Sequence, residues 1–395
     1  ALLTWKPTYD MLEPTAVPQG YVVYTRNGDE NQPFDQGVFY PGSQAEIPIR
    51  EGTHYSFRVT AVNRGGESFP SETVSLYKVP AGEEKGTVLI VNGFTRVSAP
   101  DSFASKDTLF AGFQDQSDYG VPYLQDISYI GSQYEFRRKN GWADDDAPGF
   151  GASNADWETK VIPGNTFDYT IIHGKSFAQA GYSYVSSSLQ AFIDEDSGVD
   201  PRDFFALDLI LGKQKQVRRG GTTYGTPVFK AFPEALQIRL AQYACQEGNM
   251  IISGAHVASD LWGTTGMDTL ARKFAMETLN IRFRSDHASK TGEIMVAPSP
   301  YTAFYKGEIL GDPVYSFRTG LNLTVYPVES PDALEPAGPG AYTIFRYRDN
   351  RLSAGVAYRG NYRVVTLGFP LETLETEEQQ ARLVRECLDF FNTDK

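Results

Sequence analysis

The stretch "NMIISGAHVASDLW", Asn249 to Trp262, decides the fold. The apolar run Met250-Ile251-Ile252 reads as a buried strand, Gly254 as a sharp turn, and the residues after it as the start of a helix. Such a turn holds one side chain proud of a sheet. Its apex is His256, where the pattern Gly-x-nucleophile-x-Gly would place a serine or cysteine. Working outward, "TVLIVNGF" (87–94), "DYTIIHG" (168–174), "LDLILG" (207–212) and "YRVVTLGFP" (362–370) are similar runs, each closed by glycine or a polar residue. Segments apolar on both faces suit strands of a parallel sheet covered by helices. Helical 3–4 spacing follows in Phe232, Leu236, Leu240 and Tyr243, in Met267, Leu270 and Phe274, and in Ala381, Val384, Leu388 and Phe391. The alternation predicts a three-layer α/β domain with a mostly parallel sheet over 86–395. Two insertions interrupt it: an aromatic and acidic one at 95–167, and one at 291–360 expected to be β-rich.

Residues 1–80 have another texture. "LLTW", "GYVVYTR", "AEIPI", "YSFRVTAVN" and "SETVSLY" alternate in polarity and are separated by turn residues, the pattern of an antiparallel β-sandwich. Tyr55, Phe57, Val59 and Ala61 share one face of a strand, and His54 beside them is expected at the surface. "VPAGEEKG", Val79 to Gly86, reads as a polar linker.

Composition narrows the functions. A formal charge of -13 opposes binding to nucleic acid, and no apolar run reaches the ~20 residues that span a bilayer. The basic cluster "KQKQVRR", Lys213 to Arg219, reads as a solvated loop. Cys245 and Cys387 form neither a disulfide framework nor a cysteine zinc site. His173, His256, Asp260 and "SDH" (285–287) lack HExxH spacing, and Asp144 to Asp146 lack the rest of an EF-hand, so neither a metal nor a cofactor is indicated.

Trp5, the "GYVVY" strand, the Tyr55 to Asn63 strand and "GGESFPSE" resemble a fibronectin type III module. In that family the tryptophan lies on the second strand, so the resemblance implies a first strand preceding residue 1. "LDLILGKQ", the following helix, "GNMIISGAHVASDL" and "YRVVTLGFPLET" resemble the class I glutamine amidotransferase-like, or flavodoxin-like, superfold. More narrowly they are similar to secreted bacterial proteins that carry type III modules and are labelled xanthan lyase or N-acetylmuramoyl-alanine amidase. The shared motifs are structural, so they imply fold better than reaction. An extracytoplasmic location and partners among carbohydrate, peptidoglycan or other cell-surface proteins are what this resemblance implies.

In an open α/β sheet, ligands bind where strands end. The predicted ends carry Asn92, His173, Lys213 and the Ser253 to Asp260 turn. His256 and His173 are the acid/base candidates, and Asp260, four residues after His256, is placed to orient the imidazole. Asn92, Lys213 and Ser253 are candidate binding residues, with Tyr123 and Trp142 of the first insertion offering faces to sugar rings. The amidotransferase cysteine and its late His-x-Glu pair are absent, which argues against glutamine hydrolysis. Two readings remain. One is a polysaccharide lyase, hydrolase or amidase; the other is a non-catalytic carbohydrate- or protein-binding scaffold that has lost its nucleophile.

Overall fold

Strand Thr87–Asn92 lies near the middle of one 14-stranded sheet and is buried along nearly its whole length. The computed structural model describes residues 1–7, 12–13, 15–96, 102–104, 111–113, 120, 125–127, 135, 137–152, 161–218, 227–262, 269–305 and 311–393. Ser183–Ser188 and Ala206–Gly212 flank Thr87–Asn92, followed on the latter side by Asn249–Gly254 and Arg363–Leu367, all in parallel. In chain order these five strands stand 2-1-3-4-5. Beyond Arg363–Leu367 the sheet turns antiparallel through Ser353–Arg359, Ala341–Tyr347, Glu293–Val296 and Tyr315–Ser316. The molecule is thus a β-rich N-terminal region continuing into an α/β region, with few helices.

Alternation of apolar residues explains why these runs become strands here. Val88, Ile90, Ile210, Ile251 and Val365 pack with Phe177, Leu383, Val384 and Leu388, from helices Tyr169–Gln179 and Glu377–Asn392. Their neighbours Leu89, Val91, Leu209, Ile252 and Val364 pack instead with Leu236 and Leu240 of helix Glu234–Cys245. Both faces are dry, so each side chain contributes roughly 1.5–3 kcal/mol of burial, and no polar position is tolerated at low cost.

One expected strand is a helix. "DYTIIHG" lies largely in Tyr169–Gln179, whose buried Tyr169, Thr170, His173, Gly174 and Phe177 repeat every three to four residues. A short apolar run does not distinguish the two states. The parallel strand is Ser183–Ser188, "SYVSSS", which looks too polar for a sheet interior. Two of its serines have partners in the N-terminal region: Ser183 Oγ accepts from the Val79 amide (3.0 Å) and Ser186 Oγ from the Ser75 amide (2.6 Å). The helix lies close over this strand, since a Cβ on Gly174 would sit 2.1 Å from the Tyr184 ring.

Those serines form the seam between the two regions. Val74–Tyr77 pairs antiparallel with Ser183–Ser188, so the N-terminal sheet of Val38–Tyr40, Gly20–Asn27, His54–Asn63 and Val74–Tyr77 runs on into the α/β sheet. Leu2–Thr4 and Gln44–Glu46 form a separate two-stranded sheet. Val79 to Gly86 is not a free linker, because the Lys85 amide donates to Gly181 O (3.0 Å) and its ammonium to Ala180 O (2.8 Å).

The seam is polar and largely dry. Arg26, 3% exposed, holds Asp168 with both guanidinium nitrogens (2.7 and 2.8 Å) and donates to Ser56 Oγ (2.8 Å). His54 is half-buried at the seam and not at the surface as expected. It stacks on Tyr77 with ring centroids 4.4 Å apart and bonds the Tyr184 hydroxyl at 2.9 Å. Burial, aided by Lys175, lowers its pKa to about 4, so it is neutral at pH 7. Arg26→Ala leaves the Asp168 carboxylate without its guanidinium partner, and is expected to lower unfolding free energy by about 3–5 kcal/mol, read from the denaturant midpoint at unchanged slope.

Candidate functional site

Three strand ends form the rim on which a ligand would sit. Register places Asn92 beside Ile210, Ile210 beside Ser253, and Gly212 beside Gly254. After Gly254 the chain makes the turn Ala255–Ala258 and enters the short helix Ser259–Trp262. The Ala255 amide donates to Gly212 O (2.8 Å), and a Cβ on Gly254 would meet Leu211 Cβ at 2.8 Å, so the turn is pressed onto the neighbouring strand. His256 stands at its apex, half-buried.

The amides beyond the apex are occupied by the chain itself. Asp332 Oδ2 accepts from the Ala258 (2.8 Å) and Ser259 (2.7 Å) amides, while the Asp332 amide donates to Ala255 O (2.9 Å) and Gly368 O (3.1 Å). A Cβ on Gly368 would sit 2.1 Å from Asp332 O, so only glycine admits this crossing. Asp332 is fully buried, and its Oδ1 has no hydrogen-bond partner among the described residues. Burial outweighs the two amides and pushes its pKa up to about 8, with the Asp286 charge acting in the same direction.

Residues 329–332 form a strap across the rim. Lys213 Nζ grips both Glu329 oxygens at 2.7 Å, the two side chains being only 4% and 6% exposed. Ser330 Oγ lies 3.0 Å from His287 Nδ1, and the Ala288 amide donates to Pro331 O (2.8 Å). His287 adopts the left-handed backbone (φ 49°), with Asp286 Oδ1 at 3.6 Å from its ring nitrogen. The charge of His256 in turn acts on Asp286. The rim therefore gathers His256, Asp286 and His287 around a strap rooted on Lys213 and on the turn.

His173 lies elsewhere. It sits on the helix Tyr169–Gln179, fully buried, with Nδ1 2.7 Å from Asp208 Oδ2 and Nε2 3.2 Å from Glu372 Oε2. The Tyr326 hydroxyl donates to Glu372 Oε1 (2.6 Å) and completes the network. Asp208 pairs with Ile90 and Ile251 in mid-sheet, about 13 Å before Gly212 at ~3.3 Å per residue. His173 is thus a core residue below the rim, out of a substrate's reach. Its expected place at a strand end followed from reading a helix as a strand.

The other candidates divide. Asp260 accepts from the Ala231 (2.9 Å) and Phe232 (3.0 Å) amides, one to each carboxylate oxygen, and so fastens the entry to helix Glu234–Cys245. Ser253 is fully buried with no hydrogen-bond partner for its hydroxyl among the described residues. Trp142 is 68% exposed, and Tyr123 lies outside the described residues. Asn92 is at the rim, its amide donating to Glu72 Oε2 (2.7 Å). Among the described residues no group of three or more His, Cys, Asp or Glu is arranged to hold a metal ion, and no helix is long and apolar enough to cross a membrane.

Asp332 and Glu72 were missed by sequence reading. Each acts on a partner far along the chain, 73 residues for Asp332 to Ser259 and 20 for Glu72 to Asn92, with no local spacing to mark it.

No family model matches the sequence, and no curated protein does. Among solved structures, an exo-β-1,4-mannosidase from Opitutaceae bacterium strain TAV5 aligns at TM-score 0.31 and 10% identity over 58% of this chain. The chain spans 32% of that enzyme's length. A mmIFT52 N-terminal domain aligns at TM-score 0.28 and 13% identity, over 54% of this chain and 90% of that one. A Corynascus thermopiles (Myceliophthora fergusii) carbohydrate esterase family 2 enzyme with a carbohydrate-binding domain aligns at TM-score 0.25 and 11% identity, over 66% and 74% of the two chains.

The buried triad makes a pH-dependent contribution. Burial pulls His173 toward neutrality, but Asp208 and Glu372 outweigh it and hold the pKa up at about 10. The folded chain then binds this proton more tightly than the unfolded chain. The associated stability is complete below pH 6.5 and is lost as pH rises through about 10. Unfolding free energies measured from pH 6.5 to 10 are expected to fall for the wild type, and to fall less steeply for His173→Gln.

Proposed function

We propose that the chain is a non-catalytic, extracytoplasmic glycan-binding module, in which an amidotransferase-like scaffold has kept its elbow and lost its nucleophile. The observation that carries the reading is the seating of Asp332 on the Ala258 and Ser259 amides. In a working elbow, donors at the helix start face the oxyanion that forms during acyl transfer. Here the Asp332 side-chain oxygen takes both, at an apex that carries histidine. His173, which would be the second acid/base group, is enclosed with its two carboxylates.

Topology supports the scaffold. The parallel strand order 2-1-3-4-5 is the flavodoxin-like one, and helices on both faces of it favour the three-layer arrangement. For the N-terminal region, a small sheet of Leu2–Thr4 with Gln44–Glu46 beside a larger antiparallel one favours a fibronectin type III-like sandwich. In this sandwich Trp5 packs edge-on against Tyr21 with ring centroids 5.4 Å apart. The glycan ligand and the location outside the cytoplasm rest on the sequence resemblance to secreted proteins. The net charge of -13 agrees with a partner that is not a polyanion.

The test is retention without turnover. Wild-type protein is expected to co-sediment with at least one insoluble polysaccharide or with peptidoglycan while releasing no soluble sugar or peptide. His256→Ala is expected to behave the same way. Product release that His256→Ala abolishes would establish a catalytic apex and overturn the proposal.

A further inference from the structure

We infer that the junction of the N-terminal and α/β regions is an acid-sensitive latch, closed by a neutral His54 held between Tyr77 and Tyr184 and released when that imidazole takes up a proton.

The junction is narrow. Among the described residues two register pairs, Tyr77 with Tyr184 and Leu76 with Val185, join the two sheets. His54 in turn pairs with Tyr77, so His54, Tyr77 and Tyr184 stand in one row across three strands. Their rings stack along it, with centroids 4.4 Å apart for His54–Tyr77 and 6.4 Å for Tyr77–Tyr184. His54 Nδ1 reaches past Tyr77 to the Tyr184 hydroxyl at 2.9 Å. The helix Tyr169–Gln179 covers the Tyr184 end, where a Cβ on Gly174 would strike the ring. A half-buried imidazole of the N-terminal region is thus bonded to the outermost strand of the parallel sheet.

Charges reach this ring from several elements. Lys175, on the covering helix, bonds Glu30 (3.0 and 3.2 Å) and Glu377 (2.6 Å). Asp29 and Glu30 lie in the loop after Gly20–Asn27, which the Gly28 amide ties to His54 O (2.9 Å). Arg26 and Asp168 pair with one another further along the seam. Burial is the largest influence on the imidazole, and Lys175 adds to it, while Glu30 and Asp29 oppose them. The balance lowers the pKa to about 4.

Protonation changes the contacts as well as the charge. A neutral imidazole can accept the Tyr184 proton at Nδ1, whereas an imidazolium only donates, so the tyrosine O–H loses that acceptor. The new cation is also repelled by the Lys175 ammonium. In an opened junction the ring regains water and its ordinary pKa of 6.5, so the closed state binds this proton less tightly. The stabilisation is present above pH 6.5 and is lost as pH falls toward about 4. Glu72, at the other end of the same stretch, has the opposite sign. Burial raises its pKa to about 7, so its contribution is present below pH 4.5 and is lost as pH rises through 7. The two offset one another in the stability of the whole chain, and the latch is read locally, at the His54 end.

Hydrogen exchange of the full chain at pH 7.5, 6 and 5, followed by mass spectrometry and corrected for intrinsic amide rates, tests this. Peptides covering Val74–Tyr77 and Ser183–Ser188 are expected to lose protection by about three- to tenfold per pH unit below 6.5, while Asn249–Gly254 in mid-sheet keeps its protection. His54→Phe keeps a ring on Tyr77, and His54→Gln keeps a polar group; neither takes up a proton, and both are expected to show the same junction protection at pH 5 as at pH 7.5. In the wild type, NMR titration of the His54 imidazole is expected to give a midpoint of about 4. A midpoint near the ordinary 6.5 would overturn the latch. So would an equal pH dependence of junction protection in the wild type and both variants, or a loss at Asn249–Gly254 in step with the junction, which is unfolding of the whole chain.

Discussion

A parallel sheet that stops at Ser183–Ser188 would expose a row of unpaired amides and carbonyls along an open edge. In this molecule the N-terminal sheet closes that edge. Val74–Tyr77 pairs antiparallel with it, and the serine hydroxyls on either side bond the backbone amides of Ser75 and Val79. Pairing of this kind removes the liability of a bare strand and also fixes geometry, because backbone hydrogen bonds tolerate little rotation. The N-terminal region is therefore unlike a spacer on a flexible tether. The Arg26–Asp168 pair, shielded from water, and the neutral His54 between Tyr77 and Tyr184 lock the same seam with side chains.

This fusion governs what reaches the rim. Glu72 stands two residues before Val74–Tyr77, and the pairing of that strand carries its carboxyl to Asn92, at the end of a strand in the other region. A tethered module would not hold a carboxyl and an amide at 2.7 Å. The opposite side of the rim is governed by another long-range crossing. There Asp332 passes over Gly368 and seats on the turn after Gly254, while Lys213 and Glu329 tie the strap to the neighbouring strand.

Sequence made the interior legible and left its margins dark. Thr87–Asn92, Ala206–Gly212, Asn249–Gly254 and Arg363–Leu367 are readable because burial on both faces demands apolar residues at nearly every position. Ser183–Ser188 breaks that rule for a local reason: Ser183 and Ser186 bond across the seam and Ser188 caps the helix that follows, and no pattern inside the strand says so. Tyr169–Gln179 failed differently, since Thr170-Ile171-Ile172 is too short to show a period, and the buried His173 looks like a polar strand end. Of the expected site, His256, Asn92 and Lys213 reach the rim, because position along a parallel strand fixes which end a residue occupies. What each touches there depends on Asp332, Glu329 and Glu72, whose placement no local spacing encodes.

The two ends of the rim differ in how much of their polar capacity is spent. At the turn, Asp332 faces two amides, Lys213 faces both oxygens of Glu329, and Ser330 faces His287, so a ligand arriving there would have to displace bonds already made. Exchange of that kind returns little free energy, because each new bond replaces an old one inside the protein. Beside Thr87–Asn92 the Gln214 NH2 is buried and unpartnered among the described residues, while Glu72 accepts from the Asn92 amide and burial holds its pKa near 7. The rim thus spends its polar groups on the chain's own crossings at the turn, and leaves a buried donor unspent beside the strand that carries Asn92.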